Sequence, residues 1–334
     1  MTEPERIVSM LASGTELLCA LGLGHKLVGR SHECDHPPWV RSLPEVSRPT
    51  FAIDGTSREI DELVRARLHA GEPLYAVDEA LLLELAPDLL VTQTHCEVCA
   101  VSPADLVHHL PATLTRRPVV ALSGGTLAAI LEGFLEVAQA VGRPERGALL
   151  VNELRAHVDS VRQRVAGLPR PKVVCLEWIE PPFTMGNWGP ELVEIAGGES
   201  LLGTPGAHST TTPWQAVLDA DPDVLIITPC GFNLARAEHE MHLIASQPGY
   251  DQLAAARAGQ VFVADGEPLL QSLQPQPVRN ARNSRRDAAP RRLRTTPRRH
   301  GLAPLPWRPK RLASLDLNCA ASHSPPECGR LGPG

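Results

Sequence analysis

Cys96 and Cys99 are separated by two residues, a spacing that suits a metal ion or a redox thiol pair. Cys34 and Cys230 each follow a short apolar run, so they could complete a four-thiolate set for Zn or an Fe–S cluster. His32, His36 and His95 lie in the same loops as further ligand candidates. Thioredoxin-like redox use would place the pair near a helix start, and Ser102-Pro103 supplies one three residues on. A c-type haem attachment is excluded, because Ala100 rather than His follows Cys99. The blander reading is that cysteine is a small buried hydrophobe. Cys19 and Cys175 fall inside helical and strand patterns and read as core, while Cys319 and Cys328 sit in a compositionally distinct tail.

Aromatic residues make up only 4% of the 334-residue chain, so their positions carry information. Trp39, Trp178, Trp188 and Phe232 could wall a flat macrocycle, which needs broad apolar faces and few polar anchors. The alternative is packing between lobes, and Trp214 reads as packing at a helix start. Glu177 and Glu180 are paired carboxylates on one loop. No nucleophile or water site accompanies them, so they read as hydrogen-bond partners for loop amides or ligand amides, and no enzyme activity is expected. Gly124-Gly125 and Gly197-Gly198 match neither phosphate-binding fingerprint.

The elements that must position these residues alternate in type. Apolar runs at 7–10, 26–29, 89–93 and 119–122 read as strands. Helical patterns lie between them at 15–21, 58–70, 78–85, 102–110 and 126–141, the first opened by a Ser13–Glu16 capping box. A long helical pattern follows over about 144–167, ended by Pro169 and Pro171. The alternation resumes with strands at 173–176, 224–227 and 261–264 and helices at 190–196, 214–218, 235–246 and 250–256. Such alternation implies mostly parallel sheets covered on both faces. Ala86-Pro87-Asp88-Leu89 and Asp221-Pro222-Asp223-Val224 are similar helix-turn-strand junctions, which supports two like lobes. The predicted fold is α/β, two Rossmann-like lobes joined by one helix. The expected divisions are 1–142, a linker helix over 143–167, a truncated lobe over 168–266 and a tail over 267–334. Ligands of open α/β sheets bind beyond the strand carboxyl ends, where His32, Cys34, Cys96, Glu177, Trp178, Cys230 and Phe232 all fall.

The net charge of −6 conceals a break. Residues 1–266 hold 19 Lys and Arg against 34 Asp and Glu; residues 267–334 hold 13 against 4. The tail also has 11 of the 32 prolines and a single Val, too little apolar surface to offset its ordering entropy, so disorder is expected. The acidic body gives no case for specific nucleic-acid binding. No apolar run is long enough for a transmembrane segment. The first residues, Met1-Thr2-Glu3-Pro4-Glu5-Arg6, lack the pattern of a signal peptide. A cytoplasmic location is therefore expected as written, or a periplasmic or cell-surface one if the start is misassigned.

The chain resembles the helical-linker class of ABC-transporter substrate-binding proteins, the iron-siderophore and vitamin B12 group, and most of all its cobalamin-binding members. The resemblance rests on Ile7-Val8-Ser9 with Ser13–Glu16, on Val28-Gly29-Arg30-Ser31-His32-Glu33-Cys34-Asp35-His36-Pro37, and on 75–78, 87–93 and 96–102. It continues through Leu176-Glu177-Trp178, 188–198 and Pro229-Cys230-Gly231-Phe232. It covers about residues 5–266. It implies a bilobed clamp that holds a corrinoid or ferric chelate, moves little because a helix joins the lobes, and hands its ligand to an ABC permease. The family's final strand-loop-helix is absent. Glu267-Pro268-Leu269-Leu270-Gln271-Ser272-Leu273-Gln274-Pro275 can be encoded so that reading one nucleotide later spells Asn-Arg-Tyr-Phe-Asn-Arg-Ser-Ser-Pro, the type of sequence the family has there. A frameshift near residue 267 is thus expected; a genuine basic tail for nucleic acid or anionic lipid is the alternative.

Three function classes follow. The first is a binding protein for a corrinoid or ferric chelate, with His32, Cys34, His36, Trp39, Glu177, Trp178, Trp188, Cys230 and Phe232 around the ligand. The second is a cytosolic metal or redox protein using Cys34, Cys96, Cys99 and Cys230. The third is a degraded copy whose second lobe cannot close.

Overall fold

The structure, a computed structural model, describes residues 3–94, 100–101, 117–264 and 266, together with the backbone of Lys310–Arg311. Its strands, in chain order, are β1 (Ile7–Ser9), β2 (Leu27–Ser31), β3 (Glu45–Pro49), β4 (Tyr75–Val77), β5 (Leu89–Gln93), β6 (Val119–Leu122), β7 (Lys172–Trp178), β8 (Phe183–Thr184), β9 (Glu199–Leu201), β10 (Thr210–Thr211), β11 (Val224–Ile227), β12 (Val261–Val263) and β13 (Lys310–Arg311). They form two sheets. The first has the order β4-β3-β2-β1-β5-β6. All its pairings are parallel except β3 with β4. The second runs β10-β8-β7-β11-β12-β13, with β9 also on β7. Its β7, β9, β11, β12 and β13 pair in parallel and β8 and β10 antiparallel.

Hydrophobic burial explains which strands are central. In β5 every residue is buried, and β1 is buried throughout. Helices cover both faces of such strands, so continuous apolar runs are required rather than alternation. The register sets Ile7 beside Leu27 on one side and Leu89 on the other. Between the two sheets the chain forms the 22-residue helix Pro144–Val165, which begins with Pro at its first turn, where no N–H is missed. Its buried face, Gly147, Leu150, Val151, Leu154 and Val158, packs into the core of the first lobe beside Phe134 and Ala138. A Cβ on Gly147 would lie 2.3 Å from that of Ala138, so the helix pair can approach this closely only with glycine there. The architecture is the predicted one of two α/β lobes with mostly parallel sheets and a helix between them.

The first helix corrects one local expectation. It spans Ala12–Ala20 with Leu11 at its N-cap and no side-chain cap, so Ser13 and Glu16 lie within the helix and form no capping box. The turn is set earlier, where Ser9 Oγ donates to the Leu11 carbonyl at 3.0 Å. Thr15 is then free to turn inward and donate to Cys34 Sγ. The pattern over 250–256 also divides, into a 3₁₀ turn at Tyr250–Gln252 and the short helix Ala254–Arg257. The helix expected at 102–110 lies outside the described residues, as does the tail apart from Lys310–Arg311.

Candidate functional site

The carboxyl ends of the strands in both lobes carry polar groups where an apolar core would end. In the first lobe Ser9, Ser31, Ser47, Thr92 and Gln93 are all buried. Gln93 Nε2 donates to Ala100 O at 3.1 Å, and Thr92 Oγ1 donates to Val101 O, so β5 ties down the far end of the loop that follows it. That loop contains His95, Cys96 and Cys99, which lie outside the described residues.

Three residues define a cleft wall. Cys230 follows β11 and is exposed to solvent, and desolvation by the protein around it pushes its thiol up to about 12. The carboxylates of Glu177 and Glu33 add to that shift. Glu177 is on the same lobe, at the end of β7, and its backbone carbonyl accepts the Cys230 N–H at 3.1 Å. Glu33 comes from the opposite lobe, after β2. Its carboxylate is near enough across the lobes to bear on the Cys230 thiol. Desolvation raises the Glu33 carboxyl to about 7 and also raises Glu177, which accepts a hydrogen bond from Ser209.

The remaining predicted site residues are spread more widely. His32 is half-buried, with Nδ1 3.3 Å from Ser31 Oγ and its ring 5.7 Å from Tyr75. Burial lowers its pKa, which favours the neutral ring. His36 is half-buried two residues beyond Cys34. Cys34 is fully buried, 3.0 Å from Thr15 Oγ1, and burial pushes its thiol up to about 11. It sits in the first lobe's interior, closed off from solvent. Trp39 is 46% exposed and lies against Gly24, ahead of β2 rather than at its carboxyl end. Trp188 caps the helix Gly189–Ile195 and is half-buried. No group of three or more His, Cys, Asp or Glu converges as a metal site among the described residues, and nothing supports a Zn ion or Fe–S cluster.

Trp178 and Phe232 do meet, ring centroids 5.2 Å apart at 66°. They are covered by the other lobe. Phe232 is only 1% exposed, and the Arg236 guanidinium lies 3.7 Å from its ring centroid. Trp178 Nε1 donates to Ser57 O at 3.1 Å. Glu180 pairs with Arg58. Sequence reasoning placed both aromatics at strand ends but missed Ser57, Arg236 and Glu240, which hold the segment that covers them. Nothing in the sequence near Glu240 marks it. Glu33 stood inside the His32–Pro37 motif already noted, but nothing in the sequence separated it from its neighbours there.

A family model described as a periplasmic binding protein matches residues 7–268, and the chain belongs to that family. Among curated proteins it is similar to a vitamin B12-binding protein of Vibrio campbellii. The identity is 23% over 223 residues, covering 66% of this chain and 70% of that one. A vitamin B12-binding protein of Yersinia pestis is 24% identical over 233 residues, covering 67% and 69%. Among solved structures, the periplasmic vitamin B12 binding protein of Vibrio cholerae superposes with TM-score 0.56 at 18% identity, over 79% of this chain and 89% of that one. A periplasmic heme binding protein from Pseudomonas aeruginosa gives 0.58 at 22%, over 79% and 85%.

Proposed function

We propose that this periplasmic binding protein takes up a corrinoid between its lobes and delivers it to an ABC-type permease. The observation that carries the reading is that loops of both lobes, with Glu33 after β2, Glu177 at the end of β7 and Cys230 after β11, lie at strand carboxyl ends, where open α/β sheets bind ligands. A corrinoid carries amide side chains around a flat ring. A carboxyl raised toward neutrality, as at Glu33, can donate to an amide oxygen when protonated. The names of the curated relatives support a corrinoid over haem, and the haem-binding neighbours keep haem as the second reading. The chain is read as a binder, with no catalytic step. The family favours a location outside the cytoplasmic membrane over the cytoplasmic one suggested by the first residues.

Spectrophotometric titration with cyanocobalamin, and separately with hemin, tests the proposal. Binding of cyanocobalamin with Kd near or below about 1 μM is expected. Failure of cyanocobalamin to bind while hemin does would replace the corrinoid with haem. Failure of both at about 1 mM would overturn chelate binding altogether.

A further inference from the structure

Residues 51–64 leave the carboxyl end of β3 in the first lobe and cross to the second. Their helix, Ser57–Ala70, begins with a capping box in which Thr56 and Glu59 satisfy each other. The first helical amide, Ser57 N, is instead claimed by the opposite lobe. It donates to both carboxylate oxygens of Glu240, at 3.1 and 3.0 Å. Glu240 is 4% exposed. Arg236, one turn earlier on the same helix, Leu234–Ala245, donates to Gly55 O at 2.6 Å. Trp178 holds Ser57 O, Arg58 pairs with Glu180, and Arg65 Nη2 donates to Thr211 Oγ1 at 3.2 Å.

The segment also joins the two hydrophobic cores. Ile60, 9% exposed, belongs to the second lobe's cluster with Val174, Leu176 and Ile179. Phe51 and Val64 pack against that cluster and against the first lobe's cluster around Val46 and Leu74. A second contact repeats the polar device elsewhere. Glu191 of the second lobe accepts from Leu127 N, the first amide of the helix Leu127–Ala140, at 2.6 Å. In both places a carboxylate of the second lobe meets the positive end of a helix in the first, an arrangement that backbone dipoles favour.

We infer that residues 51–64 form a strap, latched by Glu240, that keeps the two lobes closed on each other before any ligand arrives. The linker helix is then not the sole connection between the lobes. The strap covers the Trp178–Phe232 pair, so opening the clamp at that end requires Ser57 to leave Glu240.

Hydrogen exchange read by mass spectrometry on the ligand-free protein tests this without reference to ligand identity. In Glu240→Ala the peptide over 55–62 should lose protection by at least about tenfold, the weight of one charge-assisted hydrogen bond. Small-angle scattering should show a larger radius of gyration, while circular dichroism and exchange in β7 and β11 stay unchanged. Glu240→Gln keeps the volume and one acceptor oxygen, and should fall between the two. Unchanged protection at 55–62 in both variants would overturn the strap. Loss of protection spread evenly over β7, β11 and the strap would also overturn it, because Glu240 would then serve only the second lobe's core. If Glu240→Ala does not fold, Glu240→Gln alone decides by the same readings.

Discussion

The indole N–H of Trp178 donates to Ser57 O at 3.1 Å, across 121 residues of chain and across the gap between lobes. This bond fixes the tryptophan's edge while its ring meets Phe232. Trp178→Phe keeps most of the ring area and loses the donor, leaving the Ser57 carbonyl one partner short. A cost of about 1 kcal/mol is expected in urea denaturation of the ligand-free protein. Trp178→Ala should cost about 3 kcal/mol or more, because the stack with Phe232 is also lost. Equal effects of the two substitutions would show that the hydrogen bond carries the whole contribution.

Cys230 and Cys34 differ in access rather than in acidity. Both thiols are held up by burial, to about 12 and about 11, but only Cys230 reaches solvent. Alkylation followed by peptide mass mapping should label Cys230 slowly in the native protein, faster as pH rises toward its pKa. Cys34 should be labelled only on unfolding. Bound cyanocobalamin should protect Cys230; unchanged labelling with ligand present would take Cys230 out of the cleft wall.

Glu16 contributes part of the pH dependence, beside Glu33 and Glu177. Burial, with a smaller contribution from Asp35, raises its carboxyl from 4.5 to about 7 in the folded protein. A raised folded-state pKa means the folded chain keeps a proton that the unfolded chain releases. The associated stability is fully present below about pH 4.5 and is lost as pH rises through about 7. At 1.36 kcal/mol per unit, the loss by pH 8 is up to about 3 kcal/mol. Glu16→Gln should therefore match the wild type near pH 4.5 and exceed it at pH 8. Denaturation curves at the two pH values check this, and an equal difference at both would reject a titrating Glu16.

Strands with continuous apolar runs were readable, whether central, as β5 and β11, or at a sheet edge, as β6. The runs at 89–93, 119–122 and 224–227 coincide with β5, β6 and β11. The polar and very short strands were not readable. β3 carries Glu45, Arg48 and a terminal Pro49, and β8 and β10 are two residues long, too short for any period to show. The same division holds at the site. A strand end marks where Trp178 and Phe232 emerge, because the fold dictates which edge binds ligands. Their occupant, the segment around Ser57, is set by contacts such as Ser57 with Glu240, 183 residues apart, and no local pattern encodes these. Cys34 shows the converse. Its motif placed it in a strand-end loop, but the pairing with Thr15 that draws it inward depends on where the first helix starts.

Ser57 itself separates backbone from side chain. Its Oγ is buried without a hydrogen-bond partner, while its N–H meets Glu240. Ser57→Ala removes an unsatisfied hydroxyl and should leave stability unchanged or slightly higher. Ser57→Pro is well suited to the local backbone. It occupies the first helical position, where proline is favoured, and Thr56 before it has φ −67° and ψ 162°, compatible with a following proline. The substitution nonetheless removes the N–H and leaves the Glu240 carboxylate buried without that donor. A loss of about 3 kcal/mol or more is expected. Combining Ser57→Pro with Glu240→Met, which replaces the stranded charge with an apolar side chain of similar length, should recover part of it. Urea denaturation of the four proteins measures the coupling as a double-mutant cycle. Additive losses would show that Ser57 N and Glu240 contribute independently, and the contact between them would then not stabilise the closed lobes.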